Sequence, residues 1–374
     1  MIYLDNASTT PVLKECSEIV KKCLEEDFFN PSALYSPSVS LARQISVARE
    51  SILNSLRGDG NVIFTASGTE SDNTALFCTK KPNGSRIIVS YTEHPAVFNA
   101  AMELKQRGYD VVFCPVDNYG RVIEEEFCRL MTKETSLVSI MHVNNETGCV
   151  NDIKKLCAIA KQVQPNVLFH SDGVQAVGKI KVNLSDLGVD LYTISGHKIH
   201  APKGVAGLFV KTGCNIRPYL FGGGQEGGLR SSTENVAGIL AFSVALKEAV
   251  LRTKDEGARL EELRNKIVKN LPEGIKAVEP PMHSPFILCL VMRYVRGEVM
   301  LHSLEKYGVY VGTGSACSSK KAHKKLPAVL GLDEEYENGI IRVSFSRFTQ
   351  ESDIDYFINK LILEYNTLLK YVRG

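Results

Sequence analysis

Six short runs rich in β-branched residues constrain the fold more than any other feature of the chain: NVIFTAS (61–67), RIIVSYT (86–92), DVVFCPV (110–116), TSLVSIMHV (135–143), NVLFHSD (166–172) and VDLYTISGH (189–197). Each has an unbroken apolar stretch with polar, Gly or Pro boundaries, as a strand buried on both faces must. Stretches 46–57, 96–107 and 152–164 show the helical spacing of apolar residues. Repeated β-α-β order predicts an α/β fold with a mainly parallel sheet covered by helices. Such sheets bind ligands outside the carboxyl ends of their strands. The residues that follow the six runs are therefore the ones to inspect for chemistry.

The remainder predicts a second, smaller α+β domain. Residues 236–270 read as one long helix, broken near Gly257, followed by PEGIKAVEPP (272–281), strand-like FILCLVM (286–292) and helix-like DIDYFINKLILEYNTLLKYV (353–372). A chain of 374 residues has room for both domains. Lys and Arg total 44 against 42 Asp and Glu, a net charge of +2, which gives no reason to expect nucleic acid or a membrane as partner. The N-terminus has no basic and apolar leader pattern and no apolar run is long enough to span a bilayer, so a cytoplasmic location is expected. Ten cysteines are scattered with no CxxC pair. That spacing argues against a metal site and for free thiols in a reducing compartment.

Four segments after predicted strands carry chemistry. In SGHKIHAPKG (195–204), Lys198 sits on a turn stiffened by Pro and Gly, with Ser195 and His197 suited to donate hydrogen bonds to a phosphate. A lysine so placed suits covalent attachment of an aldehyde cofactor, pyridoxal 5'-phosphate (PLP). Asp172 in FHSDGVQAVGK ends a strand 26 residues earlier, one β-α-β step away. PLP chemistry needs a carboxylate against the pyridine nitrogen, and Gln175 could reach the ring oxygen. FTASGTESDN (64–73) runs from strand to helix, so its backbone amides and Thr69 form a phosphate cradle. YTEHPAV (91–97) offers His94 as a flat ring to stack on the pyridine. Alone, each has an ordinary structural reading: a basic loop, a helix cap or a buried histidine.

With YLDNASTTP (3–11), FNPSALY (29–35), VNNETG (143–148), GGGQEGGLRSSTEN (222–235), GTGSACSS (312–319) and IRVSFSRFT (341–349), these segments resemble the class V aminotransferase-like PLP enzymes, and within them the NifS/IscS-like cysteine desulfurases. The resemblance runs nearly end to end. It implies PLP-dependent transferase fold type I: a large domain (12–250) with a mostly parallel seven-stranded sheet, and a smaller α+β domain (1–11 and 251–374) carrying a catalytic cysteine loop. It implies that Lys198 bears the cofactor, Asp172 faces the ring nitrogen, Gln175 the ring oxygen, and His94 stacks. Gly68, Thr69, Ser195 and His197 match the phosphate cup, and Thr233 a residue lent to the phosphate of the neighbouring subunit of a homodimer. Asn145 and Arg342 match the groups that hold the substrate carboxylate, and Cys317 the cysteine that receives sulfur from L-cysteine as a persulfide.

The implied activity is conversion of L-cysteine to L-alanine, with sulfur passed to an acceptor protein that docks near the Cys317 loop, for iron–sulfur cluster assembly or for tRNA or thiamin thiolation. Glycines and serines around Cys317 suit a mobile loop. The basic run KKAHKK (320–325) after it leads us to expect an acidic acceptor surface or a carrier of RNA-bound sulfur chemistry. A selenocysteine lyase of the same family and a class V aminotransferase stay open as alternative readings. The first shares the cofactor residues, and the second has no need of Cys317.

Overall fold

The computed structural model describes residues 1–313 and 325–372. The chain opens with β1 (Ile2–Leu4), α1 (Lys14–Glu25) and α2 (Ser36–Leu56). The alternating stretch follows as β2 (Gly60–Thr65), α3 (Gly68–Cys78), β3 (Arg86–Ser90), α4 (Pro95–Gln106), β4 (Asp110–Cys114), α5 (Glu124–Leu130), β5 (Thr135–Ser139), α6 (Ile153–Val163), β6 (Leu168–Asp172), α7 (Leu184–Leu187), β7 (Leu191–Ser195) and β8 (Ala206–Lys211). Then come α8 (Val236–Lys269), β9 (Ile275–Val278), β10 (Ile287–Met292), α9 (Gly297–Glu305), β11 (Val309–Thr313), α10 (Lys325–Val329), β12 (Ile340–Ser344) and α11 (Glu351–Val372).

The larger sheet has seven strands in the order β2-β8-β7-β6-β5-β3-β4. β8 pairs antiparallel with both β2 and β7, and every other pairing is parallel. The six apolar runs are β2 to β7, each strand one to four residues shorter than its run. Adjacent residues of one strand serve opposite cores. Ile87 and Val89 pack with α3 and α4, whereas Ile88 packs with the core under α2, α6 and α8. This is why these strands have no polar alternation.

The smaller sheet has five strands in the order β1-β11-β12-β10-β9, so the N-terminal strand pairs with a strand some 300 residues later in the chain. Its core joins β10, β11 and β12 to α11 and to the C-terminal half of α8. Contrary to the break expected near Gly257, α8 runs uninterrupted from Val236 to Lys269. Its N-terminal half buries Ile239, Phe242 and Leu246 against the large sheet, and its C-terminal half buries Leu260, Leu263 and Ile267 against the small one. Packing at both ends outweighs the roughly 1 kcal/mol that a helical glycine costs. Among the described residues no helix is long and apolar enough to cross a membrane.

Candidate active site

The carboxyl ends of the parallel strands converge on one cavity of about 460 Å³. β6 delivers Asp172 and, one turn later, Gln175; β7 delivers Ser195 and the tight turn carrying His197 and Lys198. β2 leads to Ser67, which caps α3 by accepting a hydrogen bond from the Glu70 amide, and so places Gly68 and Thr69 at the helix start. His94, after β3, caps α4: its Nδ1 accepts from the Ala96 amide at 3.2 Å. Asn145 and, from β12 of the small sheet, Arg342 close the far side. Gly68, Thr69, His94, Asn145, Asp172, Gln175, Ser195, His197, Lys198 and Arg342 all line this cavity. Thr233 lies on an exposed loop and does not line it. Cys317 lies outside the described residues, as do Lys320, Lys321 and Lys324 of the basic run, but Val311, Gly312 and Thr313, which lead toward Cys317, line the cavity.

Residues 5–10 form a strap across the site to which the sequence reading assigned no role. Lys198 Nζ donates to the carbonyls of Ala7 and Ser8, both at 2.7 Å, and Gln175 Nε2 donates to the Ala7 carbonyl at 2.9 Å. Gln175 Oε1 in turn accepts from Lys179 Nζ. His197 Nδ1 lies 3.2 Å from the Thr9 hydroxyl, and Arg342 binds Asp5 and Ser8. The segment YLDNASTTP was visible as a motif, but its contacts span more than 160 residues of sequence. No local pattern announces them.

Burial sets the protonation states. It raises the Asp172 carboxyl above its ordinary range, opposed by His94, by the Val174 amide that donates to Oδ1 at 2.9 Å, and by Lys198. It lowers His94, helped by Lys198 and opposed by Asp172. It takes His197 down to about 4, with Lys198, Lys203 and Lys179 adding to the effect. At the cavity wall, burial and then Asp172 and Glu93 hold the Asp72 carboxyl well above its usual range, while its bond to Thr193 opposes this. His170, 3.6 Å from Asp72, is lowered to about 3 by burial and is neutral near pH 7, so the two do not form an ion pair.

These residues fit PLP. Among the described residues the Ser195 hydroxyl is buried with no hydrogen-bond partner, and it adjoins the start of α3, whose first-turn amides have no partner within the helix. A phosphate there would satisfy both. A protonated ring nitrogen would supply the counter-charge that buried Asp172 calls for. Lys198 brings an amine to the same cavity.

The chain matches the Aminotransferase class-V family over residues 2–357. It is 37% identical over 369 residues to a protein of Dictyoglomus turgidum named cysteine desulfurase IscS, covering 96% of this chain and 93% of that one. It is 36% identical over 367 residues to a cysteine desulfurase of Trichormus azollae, covering 96% and 91%. A solved NifS-like protein superposes with a TM-score of 0.91 at 33% identity, over 97% of this chain and 99% of the other. A NifS-like protein from Rickettsia africae gives 0.87 at 28% identity, over 98% and 99%. With a family match that spans nearly the whole chain and relatives well above 30% identity, the chain belongs to the class-V aminotransferase family.

Proposed function

We propose that the protein is a PLP-dependent cysteine desulfurase that converts L-cysteine to L-alanine and holds the sulfur as a persulfide on Cys317. The observation that carries this reading is that the strand leading to Cys317 lines the same cavity as Lys198. Cys317 is four residues beyond Thr313. Four residues of chain reach at most about 14 Å, so the chain length alone allows a thiol at position 317 to reach the cavity that Lys198 lines.

When bound, PLP supplies an electron sink that weakens the Cβ–S bond of the substrate. In this reading Lys198 carries the cofactor and afterwards moves a proton between its Nζ and the substrate carbon. Asp172 holds the ring nitrogen, Gln175 faces the ring oxygen, and His94 stacks on the ring as a neutral imidazole. Gly68, Thr69, Ser195 and His197 hold the phosphate in one subunit, and Thr233 is lent to the site of a second copy in a homodimer. Arg342 and Asn145 bind the substrate carboxylate, for which a guanidinium fork is suited. The Cys317 thiolate attacks the substrate sulfur and forms the S–S bond. The Cβ–S bond breaks, and Cβ takes a proton to give alanine. The persulfide then passes to an acceptor protein, for iron–sulfur cluster assembly or for tRNA or thiamin thiolation, in a cytoplasmic setting.

The test is incubation with L-cysteine followed by mass measurement of the peptide containing Cys317. A gain of one sulfur atom, matched by alanine release, is expected, and Cys317→Ala should abolish alanine formation from cysteine. Full-rate alanine release by Cys317→Ala would overturn the proposal.

A further inference from the structure

We propose that Asp5 is a positioning residue that, together with Ser8, holds the Arg342 guanidinium in the orientation that receives the substrate carboxylate. The proposal rests on the reading of Arg342 as the carboxylate-binding group and adds the residue through which that group is set.

The small sheet brings three distant segments together. β1 pairs with β11, Asp5 just beyond it bridges to Ser344 of β12, and Gly312 of β11 pairs with Arg342. The Arg342 side chain is only 7% exposed. Its Nη2 donates to Asp5 Oδ1 at 2.8 Å and to Ser8 Oγ at 2.7 Å, and its Nη1 donates to the Asn145 carbonyl at 2.8 Å. Asp5, Ser8, Asn145 and Arg342 all line the cavity. A buried guanidinium without a counter-charge is costly, and the carboxylate the structure gives it is Asp5. The fit leaves no slack. A Cβ built on Gly312 would lie 2.6 Å from Asp5 Oδ1 and 3.0 Å from Arg342 Nη2, so only glycine admits this pair. Held by three oxygens on two nitrogens, the guanidinium is oriented before any ligand arrives. That ordering lowers the entropy lost when a substrate carboxylate binds.

The holoenzyme with Asp5→Ala tests this. The KM for L-cysteine should rise about tenfold or more, with kcat within about twofold. Binding of L-alanine, followed through the visible band of the bound cofactor, should weaken by a similar factor. Binding of cysteamine, an amine thiol without a carboxylate, should not change, whereas general damage to the fold would weaken both. Unchanged alanine binding, or equal losses for alanine and cysteamine, would overturn the role given to Asp5. If Asp5→Ala fails to fold, Asp5→Asn, which keeps the shape but not the charge, should weaken alanine binding about threefold or more without touching cysteamine, and equal affinities would overturn the proposal. Arg342→Lys, measured in parallel, separates the two levels. If it leaves alanine binding intact, the carboxylate reading itself fails. If it weakens alanine binding while the Asp5 variants do not, only the positioning role fails.

Discussion

Lys179 lies 5% exposed beneath the cavity, with Nζ donating to Gln175 Oε1 while Gln175 Nε2 donates to the Ala7 carbonyl. Burial, and then the charges of Lys198 and Arg342, hold its pKa well below the ordinary 10.5. A lysine depressed on folding binds more protons in the unfolded chain, so wild-type stability increases with pH until the unfolded lysine also loses its proton. Lys179→Met lacks this term. The melting temperature of wild type relative to Lys179→Met should therefore shift in favour of wild type between about pH 7 and about pH 10, and thermal scans across that range check it. His142 gives a second window. It shares a 2.7 Å hydrogen bond with Tyr192, and burial lowers its pKa from 6.5 to about 4. The stability tied to its neutral form is complete above pH 6.5 and is lost as pH falls toward 4. His142→Gln, less stable at pH 8, should lose less melting temperature than wild type across that interval. Buried Asp72 and Glu93, both raised, act with the opposite sign, since they favour the fold most when protonated.

At the level of elements, the turn after β6 is the tightest constraint on the site. A Cβ on Gly173 would fall 1.9 Å from Tyr192 Cε1, within the ring that β7 packs against it. Gly173→Ala must displace either Tyr192, whose hydroxyl is bonded to His142, or the turn that aims Asp172. A loss of about 1–3 kcal/mol on urea unfolding is expected, together with weaker cofactor retention. Much of this arrangement was legible in the sequence because parallel strands buried on both faces leave unbroken apolar runs, and their carboxyl ends mark where Asp172, Ser195 and Lys198 emerge. The continuity of α8 through Gly257 was not legible, since it depends on two cores that meet only in three dimensions. Nor was the reversal of β8, whose run AGLFVK resembles its parallel neighbours and whose direction is set by the short connection from β7. Asp5 and Ser8 were hidden for the same reason: 337 residues separate Asp5 from Arg342.

At the scale of the whole molecule, a single chain leaves features that the proposed homodimer would use. Thr233 is exposed and outside the cavity, and Phe221, at 85% exposure, and Leu34, at 96%, are apolar side chains facing solvent. If Thr233 serves the phosphate of a second copy, each working site draws Lys198 from one chain and Thr233 from the other. Lys198→Ala has no amine to bear the cofactor, and Thr233→Glu sets a carboxylate against the phosphate, so each homodimer should be inactive. In a mixed dimer one site combines both defects, while the other pairs an intact Lys198 with an intact Thr233. Random exchange of equal amounts makes half the dimers mixed, each with one good site, so about a quarter of wild-type activity should return on mixing. If Thr233 instead served its own chain, every site in the mixture would carry a defect and none would return. Sulfur transfer to Cys317, measured before and after co-refolding the two variants, distinguishes these outcomes, because only an intersubunit site can be repaired by a neighbour that is itself inactive.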